Sequence, residues 1–176
     1  MGETSVSPIF LISRYETDMR ATCDLYDDHE GNVQTCFLQF RDFGAKRHFC
    51  GPVRTVRCCN DNSVLRDLLG EPGKGAVMVV DGQGSTEKAL LGDMLAARGA
   101  ENGWSGLVIN GVIRDSGVVA GIDIGVKALG TNPAKSVKKG EGEVDVTVEF
   151  GGVTFEPGCW VYCDEDGVLV APGILE

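Results

Sequence analysis

The sequence has no long apolar run: the stretch near its start, Ile9-Phe10-Leu11-Ile12, is four residues long, far short of the ~18 or more that a membrane helix needs. The N-terminus also lacks a charged n-region, a longer apolar segment and a small-residue cleavage site. Neither membrane spanning nor secretion is indicated, and a cytoplasmic address is expected. Basic residues are scarce. Lys and Arg number 16 against 26 Asp and Glu, a formal net charge of −10, and the deficit is uneven, −3 over residues 1–88 and −7 over residues 89–176. That sign disfavours direct binding to a nucleic-acid phosphate backbone. No CxxC pair occurs among the seven cysteines, whose number is odd and whose adjacent pair Cys58-Cys59 is poorly placed to bridge. Reduced, mostly buried thiols are expected. Cys159 and Cys163 fall in one expected strand, about 13 Å apart at 3.3 Å per residue, too far to share a zinc ion. His29 and His48 stand alone, with no acid or nucleophile pattern beside them, and read as surface residues.

What the chain does have is glycine, 25 of 176 residues, about twice the usual share and spread along the chain as turns between many short elements. With 43% hydrophobic and 24% charged residues, the composition is that of one folded domain. Thr17 with Met19, Cys23, Leu25 and Tyr26 suggests a short capped helix ending in the solvated cluster Asp27 to Gly31. Residues 51–59 alternate like a half-buried strand, Asn62-Ser63 can cap a helix through Leu69, and residues 70–75 close it as a turn. Residues 76–81 and 106–110, the latter with Val112 and Ile113 just beyond it, are apolar runs of the kind covered on both faces in a parallel sheet, with a shorter third candidate at 125–129. Between the first two lies an expected helix from about Ser85 to Asn102, interrupted at Gly92, which makes a right-handed strand, helix, strand unit. After residue 140 three strands joined by tight turns are expected. Together these give an α/β layered domain, parallel in the middle and antiparallel at the end.

In open α/β sheets ligands gather outside the carboxyl ends of the strands. A helix from 93 to 102 runs about 15 Å from that edge, and a strand of about five residues from 106 returns a similar distance, so Asp93 and Arg114-Asp115 should meet there. Two carboxylates, a guanidinium and the free amides of a helix start would then share one small volume. Asp115 and Asp93 could hold Mg²⁺ or Mn²⁺, the amides at Met94-Leu95-Ala96 could accept a substrate carboxylate, and Arg114 could hold a carbonyl oxygen as it becomes an enolate. That is a metal-dependent site for a small 2-oxo acid. Plainer roles compete: Asp93 as an N-cap and Arg114-Asp115 as a strand-end turn. Asp81-Gly82-Gln83-Gly84 has the outline of a dinucleotide turn, but Glu87 stands where the third glycine belongs and would repel phosphate. Lys127 reads as a solvated or packing lysine and not as a Schiff-base amine.

The segments Arg41-Asp-Phe-Gly44, Gly51-Pro-Val53, Asp61-Asn-Ser63, Glu71-Pro-Gly73, Val79-Val-Asp-Gly82, Ala89-Leu-Leu-Gly-Asp93, Asn102-Gly-Trp104 and Phe150-Gly-Gly-Val-Thr-Phe155 resemble the regulator of ribonuclease activity A family, which includes the class II 4-hydroxy-4-methyl-2-oxoglutarate aldolases. The resemblance runs from about residue 17 to 171. It implies a single RraA-like domain over residues 1–176, with the compact β/β/α swivelling-domain fold, a layered α/β sandwich, assembled as a homotrimer or a hexamer of paired trimers. The aldolase members are marked by Asp, twenty residues, then Arg-Asp, which here is Asp93 followed by Arg114-Asp115. The resemblance implies that Asp115 is the metal ligand and that Asp93 holds metal-associated water. Arg114 would contact the enolate, and Gly92, Asp93, Met94 and Leu95 would line the substrate site, with the Met94 and Leu95 amides taking the pyruvate carboxylate. It further implies cleavage of a 4-hydroxy-2-oxo acid to pyruvate and a second oxo acid, or decarboxylation of oxaloacetate. The aldolases also use an acid from a C-terminal extension of the neighbouring subunit, whereas this sequence ends at Glu176 soon after the last expected strand. The alternative within the same family is a non-catalytic regulator that binds and inhibits a ribonuclease of the ribonuclease E kind or an associated helicase through its acidic second half. A menaquinone methyltransferase, as such sequences have also been described, would need the nucleotide-type glycine turn that Glu87 argues against.

Overall fold

The computed structural model describes residues 19–176. In chain order it contains α1 (Thr22–His29), β1 (Gln34–Thr35), β2 (Arg41–Asp42), β3 (Phe49–Arg57), α2 (Ser63–Leu69), β4 (Val77–Asp81), β5 (Ala89–Leu91), α3 (Asp93–Glu101), β6 (Gly106–Ile113), α4 (Ser116–Val119) and β7 (Gly125–Thr131). Five short strands follow: β8 (Glu143–Val144), β9 (Val148–Phe150), β10 (Val153–Phe155), β11 (Trp160–Asp164) and β12 (Gly167–Ala171). Ten of the strands share one sheet, whose main path is β1-β12-β11-β3-β4-β6-β7-β2.

The apolar runs sit where their composition places them. β3, β4, β6 and β7 pair in parallel at the centre, and every residue of β6 is buried. Alternation along β4 sorts the core into two halves. Met78 and Val80 join Leu65, Leu69, Leu107 and Ile109 under α2 and α3. Val77 and Val79 join Phe49, Val108, Phe155 and Val161 on the opposite face, which the β9–β10 hairpin covers as a separate two-stranded sheet. The layers are therefore small sheet, large sheet and helices, the layered α/β sandwich expected. β11 and β12 extend the sheet in antiparallel fashion, and β2 closes the far edge against β7.

Several local expectations are corrected. The helix expected from about Ser85 occupies only Asp93–Glu101, because Ala89-Leu90-Leu91 extends as β5 along the end of β6. β6 is longer than β4 and bulges between Ile109 and Val112, so its last residues need a partner that β4 does not provide. The three strands expected after residue 140 are five, since the Val144 to Phe155 region divides into β8, β9 and β10. Gly151 and Gly152, both with positive φ, turn β9 into β10. The first helix begins at Thr22; Thr17 lies outside the described residues, and the cap comes from across the chain. Asp164 accepts the Thr22 amide and hydroxyl, both at 2.7 Å. Lys127, as expected of a packing lysine, is buried and donates to Asp42 at 2.8 Å. His48 is exposed and paired with Glu165, while His29 is half-buried, with an Nε2 that no group among the described residues meets. All seven cysteines are free thiols, but only Cys50, Cys58 and Cys163 are buried; Cys23 and Cys59 are exposed, which corrects the expectation of mostly buried thiols.

The cap of α2 is likewise not the expected Asn62 but Asp61. Its buried carboxylate accepts the Ser63 amide on Oδ1 at 2.8 Å, and the Lys139 and Glu141 amides on Oδ2 at 2.7 and 3.3 Å. Burial opposes its ionisation, but these bonds, with the Ser63 hydroxyl, outweigh it and hold the carboxyl down at about 2. One side chain thus ties the start of α2 to the 137–141 loop. Because the folded value lies below the ordinary ~3.9, this stabilisation is complete above about pH 5 and is lost as the pH falls through 4 toward 2. Asp61→Asn should cost about 2 kcal/mol at neutral pH, and the deficit should shrink between pH 4 and 2; urea unfolding midpoints of the two proteins across that range check it.

Candidate active site

β6 carries its chain past the end of β4 and delivers Arg114-Asp115 to the sheet edge where α3 begins. The Arg114 amide donates to the Leu91 carbonyl at 2.9 Å, so the two turns are stitched together. Asp115 then adopts a left-handed backbone (φ 53°) as the residue before α4. Its carboxylate lies so close to the Gly92 backbone that a Cβ at residue 92 would stand 2.9 Å from Asp115 Oδ2 and 3.4 Å from Arg114 Cγ. Gly92 is extended, and a side chain there would meet first the end of the partly exposed Asp115 side chain, which would have to turn aside. Arg114 Nε donates to Asp115 Oδ2 at 3.2 Å and its NH1 to the Pro133 carbonyl at 3.4 Å. Both side chains are only partly covered, 39% and 36% exposed, which leaves them open to a ligand.

Gly92, Asp93, Met94, Leu95, Arg114 and Asp115, the residues expected at the site, all line one cleft of about 290 Å³. Asp93 is the first residue of α3, not its N-cap; its Oδ1 accepts the Met94 amide at 2.8 Å. The Ala96 amide is engaged by the Gly92 carbonyl, so of the three amides expected to face a substrate, Leu95 alone has no partner among the described residues. The Met94 amide would come free only if the Asp93 side chain turned away from it.

The sequence reasoning missed the rest of the wall. Asn62 and Arg66 from α2, Arg98 from α3, and Lys135, Ser136 and Lys138 from the loop after β7 also line the cleft. That loop is pinned in place by Ala89 donating to Ala134, by the Ser136 hydroxyl on the Ala89 carbonyl, and by the Asp61 hub. The position of 132–138, directly after a parallel strand, was the available signal, since that is where such sheets place ligand loops.

Among the described residues no three His, Cys, Asp or Glu side chains converge as a metal centre. A closed, all-protein site of the zinc type has no donors here. Two carboxylates in an open cleft instead suit Mg²⁺ or Mn²⁺, which take one or two carboxylates and complete their shell with water and substrate oxygens. The Asp81 to Gly84 turn is occupied by its own bonds: Gln83 donates to Asp81, Gly84 to the Asn110 carbonyl and Ser85 to that of Gly82, while Glu87 accepts from Asn60. Of the acids in the second half, Glu143 pairs with Arg57, and Asp145 with Arg54.

A family model described as RraA-like, Aldolase/RraA, matches residues 22–170. A Geobacillus kaustophilus structure described as S-adenosylmethionine: 2-dimethylmenaquinone methyltransferase is 48% identical, with 89% of this chain and 97% of that one covered and a TM-score of 0.86. The RNA-processing inhibitor RraA from Thermus thermophilis is 41% identical over 90% of this chain and 96% of that one, with a TM-score of 0.87. Streptomyces coelicolor RraAS2, described as an unusual member of the RNase ES inhibitor RraA protein family, is 26% identical over 93% and 85%, with a TM-score of 0.71.

The contact between Gly92 and Asp115 gives a test of this geometry that does not depend on function. Because the opposing atom is the end of a partly exposed side chain, Gly92→Ala should destabilise the fold by no more than about 1 kcal/mol, with the Asp115 carboxylate displaced. In an Asp115→Ala background, where the opposing carboxylate is gone, the same change should cost much less. Thermal unfolding of the four proteins in the cycle measures the coupling.

Proposed function

We propose that this chain, which belongs to the RraA-like family, is a divalent-metal-dependent lyase that cleaves 4-hydroxy-2-oxo acids and decarboxylates oxaloacetate through a pyruvate enolate. The observation that carries this reading is the convergence of Asp93, Arg114, Asp115 and the start of α3 in one cleft. Family membership supports it coarsely, since the family includes both class II aldolases and regulators of ribonuclease activity.

In this reading Asp115 and Asp93 would hold Mg²⁺ or Mn²⁺, the first directly and the second through water, and the bound metal would supply Lewis-acid stabilisation of negative charge on the substrate's oxygens. The chain's own groups do the remainder. The Leu95 amide, joined by that of Met94, receives the carboxylate of the pyruvate half at the positive end of α3. Arg114 donates to the C2 oxygen, where electrons collect as the C3–C4 bond breaks. In aldol cleavage the C4 hydroxyl gives its proton to the water oriented by Asp93 and becomes the carbonyl of the second product; in decarboxylation carbon dioxide leaves instead. Water oriented by Asp93 then returns a proton to C3, giving pyruvate. A homotrimer, or a hexamer of paired trimers, is the assembly we expect, with a cytoplasmic address.

A second reading is favoured by the 41% identity to the RNA-processing inhibitor: a regulator that binds a ribonuclease or an associated helicase. Its acidic second half, around Glu141, Glu143 and Asp145, would be the contact surface, although Glu143 and Asp145 already pair with arginines. For the methyltransferase description the glycine turn at 81–84 is the required element, and its Gln83 and Gly84 amides are engaged within the chain.

Pyruvate release from oxaloacetate and from 4-hydroxy-4-methyl-2-oxoglutarate separates the readings. Turnover should require Mg²⁺ or Mn²⁺, stop on chelation, vanish in Asp115→Ala and fall roughly 10²- to 10³-fold in kcat in Arg114→Ala. No pyruvate from either substrate with either metal would leave the regulator.

A further inference from the structure

The cleft is a cationic place on an acidic protein. Five of its lining side chains are basic, Arg66, Arg98, Arg114, Lys135 and Lys138, against the two acids Asp93 and Asp115. The second half of the chain holds only six Lys and Arg in all, at 98, 114, 127, 135, 138 and 139, and four of these six line this one cleft. Such a concentration raises the local level of anionic ligands well above what a chain of this net charge would otherwise attract.

Two of the five are placed for a specific contact. Arg98 follows Asp93 by five residues along α3, a rise of about 7.5 Å, so it stands beyond the site where the pyruvate half would lie. Its guanidinium rests over Gly70 at the end of α2, so closely that a Cβ there would collide with it. No carboxylate among the described residues pairs with it. Arg66 projects from α2, which packs on α3, and its one ion pair is with the adjacent Asp67, which is largely exposed. A planar guanidinium with no protein carboxylate, as at Arg98, or with only an exposed one that a ligand can displace, as at Arg66, is suited to bidentate capture of a ligand carboxylate.

We propose that Arg98 and Arg66 form a second anion subsite that reads a carboxylate on the far half of the substrate, so that these two residues set the preference for dicarboxylic over monocarboxylic 2-oxo acids. The subsite rests on the proposed function for the identity of the near half. 2-Oxoglutarate and 2-oxopentanoate share the 2-oxo acid head and chain length and differ in the distal carboxylate alone. Calorimetric titration of both, with Mg²⁺ present, into the wild type and into Arg98→Gln, Arg66→Gln and the double variant tests the assignment. The wild type should bind 2-oxoglutarate roughly ten- to a hundredfold more tightly. The single variants should lower that ratio, the double variant should bring it near unity, and Arg98→Lys should keep part of it. The dissociation constant of 2-oxopentanoate should stay within about twofold throughout, which separates a lost contact from a damaged fold. Equal binding of the two acids by the wild type, binding of neither, or a ratio that survives in the double variant would overturn the subsite. Pyruvate release without this ratio would leave the proposed function standing and the subsite refuted; the ratio without pyruvate release would do the reverse.

Discussion

The central constraint on this molecule is the length mismatch between β4 and β6. Both are apolar and paired in parallel from Val77 with Gly106 to Asp81 with Asn110, but β6 continues to Ile113. An unpaired strand end buried in a core would leave its amides and carbonyls unsatisfied, at a cost comparable to a lost hydrogen bond for each. β5 meets that need on one side and the last residues of β7 meet it on the other. Because β5 runs straight into Gly92 and Asp93, satisfying the backbone of β6 also brings the start of α3 beside Arg114 and Asp115. The site is a consequence of how the sheet completes its bonding.

Two further contacts set its detail. Gly92 lets the Asp115 carboxylate approach the backbone, and Asp61 holds α2 against the 137–141 loop, which brings Asn62 and Arg66 into the same wall as Lys135 and Lys138. Neither contact is chemical in itself. Both act by fixing which groups face one another, and they explain how a chain with ten excess negative charges presents a cleft with more cations than anions.

The parts of this arrangement that were legible in the sequence are those governed by local rules. Continuous apolar runs at 76–81 and 106–110 marked the buried parallel strands, the second of which continues to Ile113, and simple rise per residue was enough to bring Asp93 to Arg114-Asp115. The parts that were not legible depend on groups far away in the chain. Ala89-Leu90-Leu91 has helical composition and becomes a strand because β6 needs a partner. The α1 cap is Asp164, more than a hundred residues from Thr22. The cap of α2 is Asp61 in place of its neighbour Asn62, a choice made by the loop amides that Asp61 also accepts. Arg66, Arg98 and the loop lysines carry no motif, and their shared wall follows from helix packing that no local pattern encodes.

The claim that the carboxylate pair, Arg114 and the α3 start form a metal-dependent 2-oxo acid site is tested most directly by a crystal structure grown with Mn²⁺ and pyruvate, phased to show anomalous scattering from manganese. One manganese peak is expected at coordination distance from an Asp115 carboxylate oxygen, with pyruvate between it and the Leu95 amide and Arg114. Saturating Mn²⁺ and pyruvate with no manganese in this cleft, or manganese bound only elsewhere on the protein, would contradict it.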